Sequence, residues 1–395
     1  INSTGITSLN AAVGGTTALS RLITNAGGSL AMNGGSITTT GAQSYGEWVN
    51  LGASVVLQGV NITFGSTVDS AASTPYSLSI NDSGTTVLGG AVGAVHALNN
   101  LTTDAAGETR IQGTQALTTI KATGSAVFND IVKVFTDTTV QTAGALSFMQ
   151  TVDADVANTR TLKLNGGNTG GINVYGALGG TAAFKTLEVV NSEMTTFTGK
   201  VTTSDSVVLT DTRDNNAIAF NGGLSTATLS VAAQPFNLIL RSEVSVTNAT
   251  TLANTGTLQL GGVESDNLYF AGGLVATAPS ALSVAGTIRS SDQAILLGRS
   301  ATTITLVNDT WINSGAGSLR LASSVTAGQE PYVLRLLSTG PTTIDGDLTS
   351  AGALSLAGPV TFSGASTITC DCKVANRHRS NQGWSSSQLH HHSDQ

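Results

Sequence analysis

The sequence predicts an all-β protein, a parallel β-helix (β-solenoid) of degenerate repeats forming a single elongated domain over residues 1–369. Three observations lead there. A phrase near the start returns twice, short segments alternate apolar and polar residues along the chain, and Asn-Gly two-residue turns do not regularly join neighbouring segments. The recurring phrase is Val13-Gly14-Gly15-Thr16-Thr17-Ala18-Leu19-Ser20-Arg21-Leu22, repeated as Val92-Gly93-Ala94-Val95-His96-Ala97-Leu98-Asn99-Asn100-Leu101. A looser copy follows as Leu178-Gly179-Gly180-Thr181-Ala182-Ala183-Phe184-Lys185-Thr186-Leu187. Leu19 and Leu98 are 79 residues apart (98 − 19), and Leu101 and Leu187 are 86 apart (187 − 101), so insertions between copies are tolerated. Phe220-Asn221-Gly222-Gly223-Leu224 is likewise answered by Phe270-Ala271-Gly272-Gly273-Leu274. Such recurrence marks units that bury their apolar faces against their neighbours.

The strand segments follow in order. Thr161-Leu162-Lys163-Leu164, Thr186-Leu187-Glu188-Val189, Ser206-Val207-Val208-Leu209, Thr228-Leu229-Ser230-Val231 and Thr257-Leu258-Gln259-Leu260 place apolar residues two apart. Ala281-Leu282-Ser283-Val284, Ser318-Leu319-Arg320-Leu321 and Ala353-Leu354-Ser355-Leu356 do the same. Period two sends those side chains to one face of a strand and the polar ones to the other. Gly, Asn and Asp fill the gaps, as in Asn165-Gly166-Gly167-Asn168, and supply turn conformations. Segments recur every 10 to 15 residues, roughly two strands per coil of about 20 to 30. Leu19, Leu98 and Phe184 are expected to stack inside as one row, and Phe64 and Phe148, each followed by Thr-Val-Asp, as another. An antiparallel sandwich series is the competing architecture.

Composition narrows the function classes. Charged residues make up 10%, with a net charge of −7, so a phosphate-binding track is not expected. The surface is instead hydroxyl and amide. No apolar run reaches the roughly 18 residues of a membrane-spanning helix. The chain opens on Ile1 with repeat sequence, which reads as a piece of a longer chain or a mature form. Both cysteines, Cys370 and Cys372, lie past the repeats, and a thiol-free body suits an exported bacterial surface protein.

Candidate chemistry is sparse. Asp153 with Asp155, and Asp211 with Asp214 beside Arg213, are the densest acidic neighbourhoods and are candidates for Ca²⁺ or sugar contact, weighed against ordinary turn-forming roles. Threonine clusters such as Thr38-Thr39-Thr40, Thr302-Thr303 and Thr342-Thr343 raise an ice-binding face, without the constant coil length that requires. His96 takes the place of Thr17 in the second copy, and Trp48 and Trp311 stand alone. Residues 370–395 carry Cys370, Cys372, His378 and the run from His390 to His392; they read as a disordered tail from a premature end or frame change, with Zn²⁺ binding the lesser alternative. No catalytic, cofactor-binding or metal-ligating residue is assigned, and no cofactor is expected.

Gly14-Gly15-Thr16-Thr17-Ala18-Leu19, residues 33–45, Thr63-Phe64-Gly65-Ser66-Thr67-Val68 and residues 352–362 resemble the filamentous haemagglutinin-like, β-strand-repeat class of large bacterial surface proteins. The resemblance covers most of residues 1–369. It implies a right-handed β-helical stalk, exported by a large-adhesin route and acting in attachment, aggregation or biofilm, as adhesin or inert stalk. Neither an N-terminal secretion-signal domain nor a C-terminal outer-membrane barrel is found in the sequence. The expected partners are surface glycans or proteins of a host or neighbouring cell and flanking repeats, and the expected location is secreted or outer-membrane associated. The alternative is a carbohydrate-active β-helix enzyme, which needs paired carboxylates that this sequence disperses.

Overall fold

The computed structural model describes residues 1–370 except Ser73, 114–116, Gln329, Ala351 and 364–365. No helix occurs among them; every strand pairing is parallel, and the strands stack as a β-solenoid of about 15 turns. The expected tail at 370–395 and its cysteine and histidine cluster lie outside the described residues, apart from the backbone of Cys370, which ends strand Ile368–Cys370. The chain divides into two compact units, Ile1–Arg213 and a second beginning at Asp214.

In the first unit most turns lay three short strands, one on each of three faces, where the sequence suggested two per coil; at Val13, Val92 and Leu178 a single bridge takes the place of a strand. Each face buries a column of inward side chains. On the first, Val55, Leu78, Leu101, Ala126, Leu146, Ile172 and Thr195 are neighbours in register. They lie between 20 (146 − 126) and 26 (172 − 146) residues apart, which sets the turn length. On the second face run Tyr45, Phe64, Leu88, Ile111, Val134 and Ala154. On the third run Leu30, Val49, Val68, Val92, Ile120, Val140, Leu164, Val189 and Leu209. All are buried. Parallel neighbours stand about 4.8 Å apart, so like side chains meet: the rings of Phe128 and Phe148 stack at 5.0 Å, and those of Tyr45 and Phe64 at 5.3 Å.

These registers correct the expected rows. Phe64 and Phe148 are both buried but belong to different faces, Phe64 beside Tyr45 and Leu88, Phe148 beside Phe128 and Val174. Leu98 and Phe184 are buried, whereas Leu19 is 39% exposed, bridging Thr39 on one side. The three copies of the phrase also occupy three faces: Val13 bridges Ile37 on the first, Val92 continues the third, and Leu178 bridges Val152 on the second. Because turn length varies from 20 to 26 residues, spacings of 79 and 86 do not hold a residue on one face, and each copy lands one face away from the last.

What the copies share is a corner device. Val13 accepts a bond from Thr38 N, and Leu19 N donates to Thr38 O; Val92 and Leu98 make the same pair of bonds with Lys121. Five residues of one turn therefore bulge outward opposite a single residue of the next. The bulge opens at Gly14, Gly93 and Gly179, with φ of 73°, 69° and 71°. A Cβ at each would approach within 2.2 to 2.3 Å of the carbonyl oxygens of Thr38, Lys121 and Thr202, so only glycine fits. The loop tip is open, with Val95 75% exposed.

The second unit repeats the plan. Its three columns run Ile218, Leu238, Leu258, Leu282, Ile304, Val325 and Leu348; Leu224, Val244, Leu268, Ile288, Ile312 and Leu336; and Thr250, Leu274, Ile295, Leu319 and Thr342.

Truncating Phe148 to Ala removes a buried ring stacked on Phe128 and set beside Val174, and is expected to cost about 3–5 kcal/mol. Because stacked turns stabilise one another pairwise, hydrogen exchange should accelerate first in strands Ala126–Phe128 and Ile172–Val174, while Ser29–Met32 keeps its protection. Uniform loss of protection over the first unit would contradict this local accounting.

Candidate functional site

Most carboxylates that the sequence singles out hold the fold. Asp153 Oδ1 accepts the amides of Thr181 and Ala182 at 2.9 and 3.1 Å, cradling the third corner loop. Asp69 does the same for Val95 and His96 in the second, at 2.9 and 3.0 Å, which explains why Val-Asp precedes both. Asp155 is engaged elsewhere, by Arg160 Nε and Nη2 at 2.6 and 2.9 Å, and those bonds hold its carboxyl below the usual carboxylate range. Asp153 and Asp155 thus do not converge on a common ligand position. Arg213 faces Glu193 at 3.6 Å, and Asp211 and Asp214 fall in different units. Among the described residues no cluster of three or more His, Cys, Asp or Glu is placed to hold a metal ion.

One acid is placed inside. Asp130 is buried and accepts bonds from Thr103 Oγ1 at 2.6 Å and Thr109 Oγ1 at 2.8 Å. Burial pushes its carboxyl above the ordinary range, against the pull of the two hydroxyls.

The surface feature with the character of a binding site lies on the second face of the second unit. A cavity of about 730 Å³ opens there between the loop at 263–265 and strand Thr303–Asn313, within the size range of ligand pockets. Its floor includes Thr287 and Arg289, and its far side Asn308, Trp311 and Asn313. Register places Thr287 beside Trp311 and Arg289 beside Asn313. The loop wall is fixed by Asp266, whose Oδ2 accepts the amides of Gly262 and Val263 at 2.7 and 3.3 Å. Gly261, at φ 78°, packs on the carbonyl of Ala285 and lets the chain turn there. Asn308 comes from a bulge: Val284 pairs with Leu306 and Gly286 with Thr310, so three residues oppose Ala285 alone. Bulges re-aim side chains in this way.

The sequence left Trp311 as an isolated residue. Its neighbours Arg289, Asn313 and Arg335 come from three turns, and only the register brings them together. Trp48, by contrast, is 44% exposed on strand Trp48–Leu51, beside Ser29.

Compared with family models, with curated proteins and with solved structures, the chain matches none. Fold and surface define it as a β-solenoid repeat protein; the resemblance to filamentous haemagglutinin-like proteins has no support from these comparisons.

Replacing Asp130 by Asn tests the buried acid. A carboxyl whose folded pKa is raised favours folding most below its unfolded value, about 3.9, and that contribution is lost as pH rises through the folded value. The melting temperature of Asp130→Asn relative to wild type is therefore expected to climb between pH 4 and pH 7. A difference that stays flat across that range, or falls, would show that burial does not govern Asp130.

Proposed function

We propose that this chain is a non-enzymatic structural repeat segment of an exported bacterial surface protein, serving attachment, aggregation or biofilm as adhesin or stalk. The observation that carries the reading is the stacking itself: within each unit, turn upon turn commits its inward residues to apolar columns and leaves a polar surface outside. A body of that kind supplies reach and repeated contact surface, with each turn stabilised by its neighbours. Hydroxyl and amide groups cover the outside in place of charge, which suits contact with other surfaces over steering of charged substrates.

The chemistry of the cavity agrees with binding in preference to catalysis. Of its lining residues only Glu264 is acidic, whereas glycoside hydrolysis uses a pair of carboxyls flanking the bond. The nearby acids are otherwise engaged, Asp266 by the loop amides and Asp309 by Val333 N at 2.8 Å.

Surface fractionation of the source organism with antibody to residues 1–369, paired with gene deletion and an adhesion and autoaggregation assay, tests the reading. Surface location with loss of attachment is the expected result. A cytosolic location would sink it.

A further inference from the structure

The outer face bearing the cavity carries an alternation that neither the fold nor the proposed role requires. Tyr269, Arg289, Trp311 and Arg335 sit on four successive turns in two adjoining rows, Tyr269 and Arg289 in the row that continues to Asn313, and Trp311 and Arg335 in the row that begins at Thr287. The Arg289 guanidinium lies over the Tyr269 ring at 4.2 Å, and that of Arg335 over the Trp311 ring at 5.7 Å. Each cation thus lies within cation–π range of the aromatic of the turn before it. Among the described residues no carboxylate pairs with either arginine. The two are two turns apart, about 9.6 Å along the stack, and two residues apart across it, so their backbones stand about 12 Å apart on a diagonal. Outside these rows, Arg241 follows a strand of the neighbouring face, donates from Nη2 to Gln259 Oε1 at 3.1 Å, and lines an adjoining cavity of about 300 Å³ that shares Val263 with the first. Its buried Nε has no partner among the described residues.

Glu264 puts one carboxylate on the cavity wall, and the two asparagines put donors there. Asn308 Oδ1 is occupied by the amide of Asp309 at 2.9 Å and Asn313 Oδ1 by that of Gly315 at 2.8 Å, so both side chains offer their NH₂ groups. Arg289 Nε donates to Asn267 Oδ1 at 3.3 Å, which leaves the outer guanidinium nitrogens available. Arg335 covers one face of Trp311, while the neighbour on the other side is Thr287, small enough to leave room against the ring. An apolar ring face with donors around it fits a ligand with flat hydrocarbon faces and many acceptors, and cations two turns apart fit anions at a similar spacing.

We infer that this face binds a linear acidic polysaccharide bearing a carboxylate on alternate sugars, one sugar ring stacking on Trp311 and successive carboxylates meeting Arg289 and Arg335. The inference deepens the attachment reading by naming the ligand class, but it is tested on the purified chain without reference to cells.

The probe is a hyaluronan octasaccharide, titrated calorimetrically into the full chain beside the same oligosaccharide with its carboxyls methyl-esterified. Binding tighter than about 1 mM is expected for the acid form, weakening with salt as exposed charge pairs do. Esterification is expected to weaken it about tenfold or more, as are Arg289→Gln, Arg335→Gln and Trp311→Ala, each the scale of a charged hydrogen bond or a stacked ring. Circular dichroism and melting curves of the variants keep misfolding separate, and Lys133→Gln on the first unit should bind as wild type. The inference is overturned if the folded wild type ignores the acid form, if the ester binds equally well, or if folded Arg289→Gln and Arg335→Gln retain full affinity. Those outcomes would leave the attachment reading standing, whereas a cytosolic location would remove that reading and leave the binding measurement intact.

Discussion

Every part of this molecule answers to one requirement: each turn must return an apolar side chain to the position directly beside its counterpart on the previous turn. Parallel ladders meet that requirement because their registry places identical positions about 4.8 Å apart, within contact of each other. The column from Leu30 to Leu209 illustrates it, since turns of quite different length all deliver Val, Leu or Ile to the same inward place. Length is then free to vary only at corners. The outward loops after Val13, Val92 and Leu178 are where the extra residues go, and the glycine that opens each is there because the next turn's carbonyl occupies the space of a Cβ.

Corners also collect the polar groups that an apolar interior excludes, since a buried polar atom without a partner is costly. Gln43 shows the solution: its Nε2 donates to Gln58 O at 2.8 Å and its Oε1 accepts from Tyr45 OH at 2.6 Å. Asp82 accepts the amides of Asn61 and Ile62, both at 2.7 Å, and the hydroxyl of Thr86 at 3.0 Å. Elsewhere like groups on neighbouring turns bond each other, as Thr186 with Ser206 at 3.1 Å and Ser314 with Ser338 at 2.8 Å. Such ladders explain how a chain with 10% charged residues satisfies its surface. The few ion pairs, such as Lys163 with Glu188 across one strand pair, are partly exposed and contribute little by comparison.

The alternation of residues such as Thr257-Leu258-Gln259-Leu260 made the strands, their inward faces and the stacked parallel plan legible in the sequence, because strand periodicity is local. The placement of repeats on faces was not legible. It depends on the sum of many turn lengths, each variable by several residues, so an uncertainty of one corner insertion moves a residue to another face. The sequence accordingly shows that Phe64 and Phe148 share a phrase but hides that they point inward from different sheets. The same obscurity covers Trp311, Arg289 and Arg335: 22 residues separate the first two (311 − 289) and 24 the last pair (335 − 311), and nothing local marks them as neighbours. Asp153 was visible as an acid, but the amides that occupy it lie 28 and 29 residues further on.

The registry that builds the core also dictates what the outside can do. Since Leu268, Ile288, Ile312 and Leu336 must line up inside, the residues flanking each of them must line up outside, and a surface ladder follows without further instruction. Elsewhere that ladder is mixed, with hydroxyl on hydroxyl at Ser225 and Ser245, an ion pair at Lys163 and Glu188, and aliphatic on amide at Ile239 and Gln259. Between Tyr269 and Arg335 two adjoining rows each set a cation beside an aromatic, Arg289 after Tyr269 in one and Arg335 after Trp311 in the other, and the backbone fixes their spacing before any ligand arrives. Such preorganisation lowers the ordering cost of binding for a long, repetitive partner, because the spacing of its charged groups needs to match only a separation that the fold already fixes.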